Sequence, residues 1–296
     1  MHAGIGLFLA LASAVAVNWA YSREHDAAVR LPPLSPRHPV ASLRTVAQSR
    51  AWLVGFAVES GGWLLYVAAV RLAPLALVQA VSASGIAVLA LITSRGRVSC
   101  LARHELLAVA IALAGLLLLS VSMISSQQGG SQPQAYAVLL WLGATAAGAA
   151  FLISAHTRLP RAASLGLAAG LLFAAGDIST KVVVQGGLWL VAIVSLLACY
   201  ATGTSALQSA FQHGRALTSA GIATLTTNAV PIAAGLVLFR EPLPHGVYGG
   251  LRIAAFASIV IGATVLADPR ARPAEPRAEP APPRVAPRFA DRRTIA

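Results

Sequence analysis

The sequence predicts an all-α integral membrane protein with about nine transmembrane helices, arranged in two inverted repeats of four and five helices. Hydrophobic residues make up 57% and charged residues 11% of the 296 residues, which is more apolar side chain than one soluble core could enclose. The apolar residues also fall into stretches of about 20, the length that crosses roughly 30 Å of hydrocarbon. Only short polar segments separate most of these stretches, so we expect no soluble catalytic domain.

The individual spans follow from the positions of the apolar stretches. These stretches cover 3–21, 51–70, 74–94, 105–124, 135–155, 164–184, 188–208, 218–239 and 246–267. A cleaved signal peptide is the alternative for the first one, because small residues near its centre resemble a cleavage site. No basic segment precedes that stretch and five arginines follow it, so a retained helix is preferred.

The arginines predict the orientation of the chain. With the N-terminus outside, the inside segments contain most of them and the outside segments contain only Arg71 and Arg240. The inside set comprises Arg23, Arg30, Arg37, Arg44, Arg50, Arg95, Arg97, Arg103, Arg158, Arg161, Arg215 and seven arginines of the tail. Because positive charge marks cytoplasmic loops, we predict a multi-pass protein of the cell inner (cytoplasmic) membrane with a cytoplasmic C-terminus.

The same distribution bears on partners. A net charge of +12 could indicate nucleic-acid binding, but these arginines lie between apolar segments without interleaved aromatic residues. The predicted partners are therefore the lipid bilayer and a small-molecule or ion substrate, with no nucleic acid. A homodimer is left open.

The chain divides into a first transmembrane repeat, 1–124, and a second, 135–267, joined by an external linker, 125–134. The first repeat contains a polar cytoplasmic loop, 22–50, whose four prolines prevent a continuous helix. The Pro- and Arg-rich segment 268–296 lacks an apolar face and is predicted to be a disordered cytoplasmic tail.

Two segments of the chain resemble each other. LAPLALVQAVSASGIAVLALI (72–92) aligns with HGRALTSAGIATLTTNAVPIAAGLVLF (213–239), and the match shifts the pattern by five helices. An odd shift reverses direction across the membrane, which predicts inverted repeats of the kind that alternating-access carriers contain. Chance similarity between two alanine-rich apolar segments is the alternative.

The stretches AWLVGFAVESGGWLLYVAAVRLAPLALVQ and QSAFQHGRALTSAGIATLTTNAVPIAAGLVLFREPL resemble the drug/metabolite transporter superfamily with its EamA-type repeats. More narrowly, they resemble actinobacterial members related to the NIPA-like magnesium transporters. The resemblance covers nearly the whole chain before Asp268. It implies a fold of nine or ten helices with substrate bound between inverted halves, and transport of small metabolites or, in the NIPA-like branch, magnesium.

The sequence departs from the NIPA-like branch at one informative place. Members of that branch carry a Gly-Glu pair shortly before an Ala-Pro turn, and alignment on Ala73 and Pro74 puts that pair on Gly62 and Trp63. The family carboxylate is therefore missing from its position, and Glu59 lies about one helical turn earlier.

Ionisable residues inside a membrane are expensive and therefore indicate function. Glu59 lies roughly 12 Å into the second stretch, near the bilayer midplane, and Trp63 and Tyr66 follow on the same helix face. We predict that Glu59 is a proton-coupling or cation-contacting carboxylate. A hydrogen-bonded structural glutamate is the alternative.

Five further residues complete the predicted pathway for substrate or coupling ion. Asp177 and Lys181 are four residues apart, the spacing of a structural ion pair or of a pair that lines a cavity. In the eighth stretch, which also contains Asn228, Pro231 frees a carbonyl near Thr227, which creates polar backbone at membrane depth or only a packing kink. Gln79 is the nearest counterpart in the third stretch.

No phosphate loop, zinc-protease motif or dinucleotide fingerprint occurs in the sequence, so neither an enzyme nor a cofactor is predicted, and a metal site is left undecided. The leading prediction is a secondary transporter that moves a small solute or metabolite by alternating access. One alternative is a NIPA-like magnesium or divalent-cation transporter in which Glu59 and Asp177 supply the carboxylates. The other is a non-transporting scaffold or a subunit of a lipid-linked sugar flippase.

Overall fold

The computed structural model describes residues 2–72, 78, 81, 84–94, 96, 101–122, 134–154, 159–184, 189–238, 240 and 245–267. Within them every regular element is an α-helix. The helices are α1 (His2–Ala28), α2 (Pro39–Ala47), α3 (Arg50–Leu72), α4 (Gly85–Thr93), α5 (Arg103–Ser122), α6 (Ala135–Ser154), α7 (Arg161–Val184), α8 (Trp189–His213), α9 (Ala216–Val237) and α10 (Val247–Leu266).

Six of these helices, α1, α3, α5, α6, α7 and α10, are long and apolar enough over their described residues to cross a membrane. The prediction of an all-α membrane protein is confirmed at this level, because each predicted apolar stretch coincides with a helix or contains one. The arrangement of nine helices in two repeats stays a prediction, as do the domain limits. The predicted tail, 268–296, and most of the predicted linker, 125–134, lie outside the described residues.

The structure differs from the prediction in the first polar loop. Helix α1 does not end at the predicted limit of its span but continues to Ala28, because Glu24, Ala27 and Ala28 are buried on one face of the added turns. The prolines then end the helix, and α2 begins with Pro39 in its first turn, where proline's missing N–H costs nothing. Only the central part of the predicted loop, 22–50, is therefore without a helix.

Helices α1 and α3 pack closely because glycines of α3 face α1. A Cβ atom on Gly55 would lie 2.8 Å from Glu24 Cγ, and one on Gly62 would lie 2.8 Å from Val17 Cγ2. Glycines two turns apart thus form a groove into which α1 fits, as small residues commonly do between membrane helices. This contact brings Glu24 of α1 against the face of α3.

The second half of the chain contains a similar contact. Helix α7 is the most enclosed of the six candidate spans. On one side it approaches α9, where a Cβ atom on Gly166 would lie 2.8 Å from the Ser219 carbonyl oxygen. On the other side it packs against α8, with Phe173 of α7 close to Gly203 of α8.

The bundle carries apolar side chains on its outer surface and several polar side chains inside. Phe8 is 70% exposed and Leu140 73% exposed, whereas Ser120, Gln208 and Thr226 are buried. In water the hydrophobic effect would oppose this arrangement. In lipid it is allowed, because apolar side chains there need no burial. Polar groups enclosed in the bundle are therefore the place to look for function.

We expect Gly62→Ala to lower the free energy of unfolding by about 1–3 kcal/mol, because the added methyl group overpacks the contact between α1 and α3. Thermal unfolding of the purified protein in detergent measures the change. The neighbouring Gly61→Ala is the matched control, since nothing lies within 4 Å of a Cβ atom there and alanine favours a helix. Equal melting temperatures for the two variants would show that Gly62 does not set the helix contact.

Candidate functional site

Two glutamates converge inside the bundle. Glu24 of α1 is 2% exposed, and its Oε2 accepts a hydrogen bond from Gln208 Nε2 of α8 at 2.6 Å. Glu59 of α3 lies close enough to Glu24 and to the Tyr21 side chain to interact with both electrostatically. Three helices therefore bring two carboxyl groups, an amide and a phenol to one point.

No basic side chain among the described residues neutralises this pair. The ion pairs that these residues form join Arg215 to Glu105 and His25 to Asp26. Arg23, next to Glu24 in the chain, stacks on the Trp19 ring at 4.9 Å. Glu24 is buried and Glu59 is half-buried, and two neighbouring carboxyl groups in such surroundings disfavour being charged at the same time without a partner. Either a proton or a bound cation must therefore lie between them.

Two oxygens at this point receive no hydrogen bond from the described residues. They are Glu24 Oε1 and Gln208 Oε1, both inaccessible to solvent. Buried polar atoms without partners are rare because each costs about 1–3 kcal/mol. These are oxygen atoms, as are those of the nearby Glu59 carboxyl group, and oxygen is the ligand type that hard cations prefer.

Glu59 also faces two cavities that border on each other. The smaller, about 310 Å³, lies between α1, α3, α4, α5 and α9, and the larger, about 490 Å³, extends towards α7 and α8. Tyr21, Trp63, Thr224 and Asn228 line both cavities together with Glu59. Glu59 therefore connects the buried Glu24 to the open interior of the bundle.

The structure brings together most of the described residues that the sequence predicts for the pathway. Glu59, Trp63, Tyr66 and Asn228 line the smaller cavity, and Asp177 lines the larger one. Pro231 lies inside α9 without ending that helix, and it lines neither cavity. None of these positions has a demonstrated role, so the pathway stays a prediction.

Two of the predicted pathway residues cannot be placed. Gln79 and the side chain of Lys181 lie outside the described residues, so the predicted pair of Asp177 with Lys181 is untested. The partner that is described for Asp177 is Tyr200 of α8, whose hydroxyl donates a hydrogen bond to Asp177 Oδ1 at 2.5 Å. Gly176 makes room for the Tyr200 ring, because a Cβ atom there would lie 2.7 Å from it.

Sequence reasoning missed Glu24, Tyr21, Gln208 and Tyr200. The predicted first span ends at Tyr21, since a run of charged residues follows it. One signal was available in the sequence: Ala20, Ala27 and Ala28 stand three or four residues from Glu24, which puts all four on one helix face. The structure buries that face. Gln208 stands at the end of a predicted span, where a polar residue is unremarkable.

Comparison with known proteins identifies a distant relative. The chain is 26% identical over 285 residues to "Probable magnesium transporter NIPA9" of Arabidopsis thaliana, a match that covers 87% of this chain and 80% of that protein. No family model matches the chain. No solved structure matches it either. The relationship and the membrane-spanning helices support a transporter related to that protein, whereas the EamA-type repeats stay a prediction.

The hydrogen bond between Tyr200 and Asp177 leads to a prediction about stability. Tyr200→Phe removes the only described donor to Asp177, and we expect the free energy of unfolding to fall by about 1–2 kcal/mol. Thermal unfolding in detergent measures the loss. Tyr136→Phe is the control, because Tyr136 is 68% exposed and its variant should melt like the wild type. A Tyr200→Phe protein as stable as wild type would show that the bond contributes little.

Proposed function

We propose that this protein is a membrane transporter whose cargo is a divalent cation of the magnesium class. The proximity of the carboxyl groups of Glu24, which is buried, and Glu59, which is half-buried, carries this proposal. Two carboxylates supply the charge that balances one divalent ion, and the ion pairs of Arg215 and His25 involve neither Glu24 nor Glu59. An ion-binding role also gives a reason for placing two expensive acidic groups inside the bundle.

The chemistry of the site suits magnesium. Mg²⁺ prefers oxygen ligands, keeps several waters and is commonly bound through one or two carboxylates. The remaining ligands would be water and neutral oxygens, since the described residues contain no group of three or more His, Cys, Asp or Glu side chains. Six waters occupy roughly 180 Å³ at about 30 Å³ each, so either cavity has room for a hydrated ion.

In the sequence alone, the lack of a carboxylate at Trp63 argues against a magnesium site. In the structure Glu59, one turn earlier on the same helix, meets Glu24, which sequence reasoning had placed in a loop. The site thus has two carboxyl groups, one on α1 and one on α3, and the one on α3 lies a turn earlier than the family position. Trp63, at 62% exposure, lies at the border of both cavities instead.

We further propose that the transporter works by alternating access between two inverted repeats of EamA type. Helices α1 and α3 pack through glycines, as α7 and α8 do. Each pair places an acidic residue of its first helix beside a polar side chain of its second: Glu24 lies near Glu59, and Asp177 accepts a hydrogen bond from Tyr200. Rocking of one pair against the other would open the two cavities in turn. The arginine distribution supports an outside N-terminus in a cytoplasmic membrane.

A carrier for another small solute is the second candidate. The larger cavity, about 490 Å³, favours it, because Asp177, Tyr200 and Asn228 together offer hydrogen bonds to a molecule larger than an ion. In that case Glu24 and Glu59 would bind the coupling proton. A non-transporting scaffold would show no flux of any kind.

Reconstituted liposomes test the cargo. We expect purified wild-type protein to move Mg²⁺ along its gradient, measured with an entrapped magnesium indicator. Glu59→Gln and Glu24→Gln should each reduce the rate by at least about tenfold, because each removes a charged ligand. Asp26→Asn is the matched control, since Asp26 is an exposed carboxylate two residues from Glu24.

Three results would count against the proposal. A wild-type protein without Mg²⁺ flux would exclude magnesium as cargo. Equal flux in Glu59→Gln and wild type would remove the pair from the pathway. Flux of a metabolite that does not depend on Mg²⁺ would favour the second candidate.

A further inference from the structure

We propose that the larger cavity binds an organic dication, a molecule with an ammonium group at each end and an apolar chain between them. This inference goes beyond the proposed magnesium cargo, because it concerns lining groups that a hydrated metal ion does not need. Glu59 lines this cavity and also belongs to the proposed magnesium site. We therefore expect the organic dication and Mg²⁺ to compete for the protein.

Two carboxyl groups from different helices line this cavity. Glu59 lies on α3 and Asp177 lies on α7. None of the described lining residues is basic, so no cationic side chain among them neutralises either carboxylate. An enclosed charge without a partner is costly. A ligand with one positive charge satisfies one of the two carboxylates, whereas a ligand with two separated charges satisfies both.

Several polar groups of the cavity use their hydrogens within the protein. The Tyr200 hydroxyl donates to Asp177 Oδ1 at 2.5 Å, and Asn228 Nδ2 donates to the Thr224 carbonyl oxygen at 2.8 Å. The Thr227 hydroxyl donates to a carbonyl oxygen of its own helix at 2.9 Å. The oxygen atoms of these groups can still accept hydrogen bonds. An ammonium group, which has three N–H donors and no acceptor, is the complementary ligand group.

Aromatic rings form much of the cavity wall. Five of the fifteen described lining residues are aromatic, namely Tyr21, Phe56, Trp63, Phe173 and Tyr200, whereas aromatic residues make up 6% of the whole chain. Ring faces attract ammonium groups within about 6 Å of their centroids, and the same rings offer a large apolar surface to methylene groups. A cation with an apolar chain therefore suits these walls better than a hydrated metal ion does.

Glycines hold two of these rings in place. A Cβ atom on Gly176 would lie 2.7 Å from the Tyr200 ring, and one on Gly203 would lie 2.8 Å from the Phe173 ring. The centroids of the two rings are 5.8 Å apart, and the Tyr200 hydroxyl is fixed by its bond to Asp177. This part of the wall is therefore formed before a ligand binds, which lowers the cost of ordering it.

The volume of the cavity suits a short linear molecule. A diamine of about eight heavy atoms occupies roughly 240 Å³ if each atom takes the ~30 Å³ of a water molecule. The cavity, about 490 Å³, holds such a molecule together with several waters. Because the two carboxylates lie on different helices, the distance between them selects the chain length, and affinity should peak at one member of a series.

Isothermal titration of the full-length protein in detergent with linear diamines, from diaminopropane to diaminooctane, tests the proposal. We expect the best diamine to bind about tenfold more tightly than the monoamine of equal length, because its second ammonium group makes charge-assisted hydrogen bonds. The neutral diol of equal length should bind more weakly still. Asp177→Asn should abolish most of the preference for the diamine, whereas Asp177→Glu, which keeps the charge, should retain part of it.

Two further variants complete the experiment. Phe173→Leu keeps an apolar side chain but removes the ring face, and we expect affinity for the best diamine to fall by about threefold or more. Phe151→Leu is the matched control, because Phe151 is 64% exposed and lines none of the described cavities. Asp26→Asn, at an exposed carboxylate, is the control for Asp177→Asn. Both control variants should bind the diamine like the wild type.

The outcomes separate this inference from the proposed function. Equal affinity of the wild type for diamine, monoamine and diol overturns the inference, and this test stands even if Asp177→Asn does not fold. Unchanged diamine binding in both Asp177→Asn and Phe173→Leu also overturns it, because the molecule then binds elsewhere. Diamine binding by a protein without Mg²⁺ flux overturns the magnesium cargo and leaves this inference standing. Inhibition of Mg²⁺ flux by the best diamine supports a shared Glu59.

Discussion

The burial of Glu24 beside Glu59 is the constraint on which the rest of this structure depends. Two acidic groups in contact within an apolar bundle are tolerated only if a proton or a cation joins them. They meet because Gly55 leaves room on α3 for the Glu24 side chain. The amide of Gln208 then adds a hydrogen bond from a third helix. Packing therefore determines the chemistry here, because the side chain of any residue larger than glycine at position 55 would collide with Glu24 Cγ.

Polar contacts hold the helices together at the end of the bundle where α1 and α8 finish. Gln212 Nε2 donates to the carbonyl oxygens of Ala28, the last residue of α1, and of Leu31 in the turn after it. Arg215 pairs with the buried Glu105 at the start of α5, and the other Glu105 oxygen accepts the Ala102 N–H at 3.1 Å. The site near Glu24 therefore lies one turn inside a region of fixed geometry, while its other side opens to the cavities.

The proposal of a divalent-cation cargo depends on the position of Glu59, where the sequence departs from the NIPA-like pattern. A carboxylate shifted by one turn on α3 would be a weak argument for magnesium if Glu59 stood alone. It becomes stronger because the shifted residue meets Glu24, so that the site has two carboxyl groups. The relative is named as a probable magnesium transporter, and oxygen ligands of this kind suit that ion.

Hydrophobicity along the chain predicts the class of the protein and where most of its long helices lie, because apolar stretches of about 20 residues have few alternatives to crossing a membrane. It also predicts Glu59 as a pathway residue, since an acidic residue within such a stretch is conspicuous. That Glu24 lies beside Glu59 becomes visible only in the folded chain. Burial depends on which residues of other helices surround a side chain, and hydrophobicity along the chain does not contain that information. A charged residue just beyond an apolar stretch looks like the end of a span until Gln208, 184 positions away, is seen to enclose it.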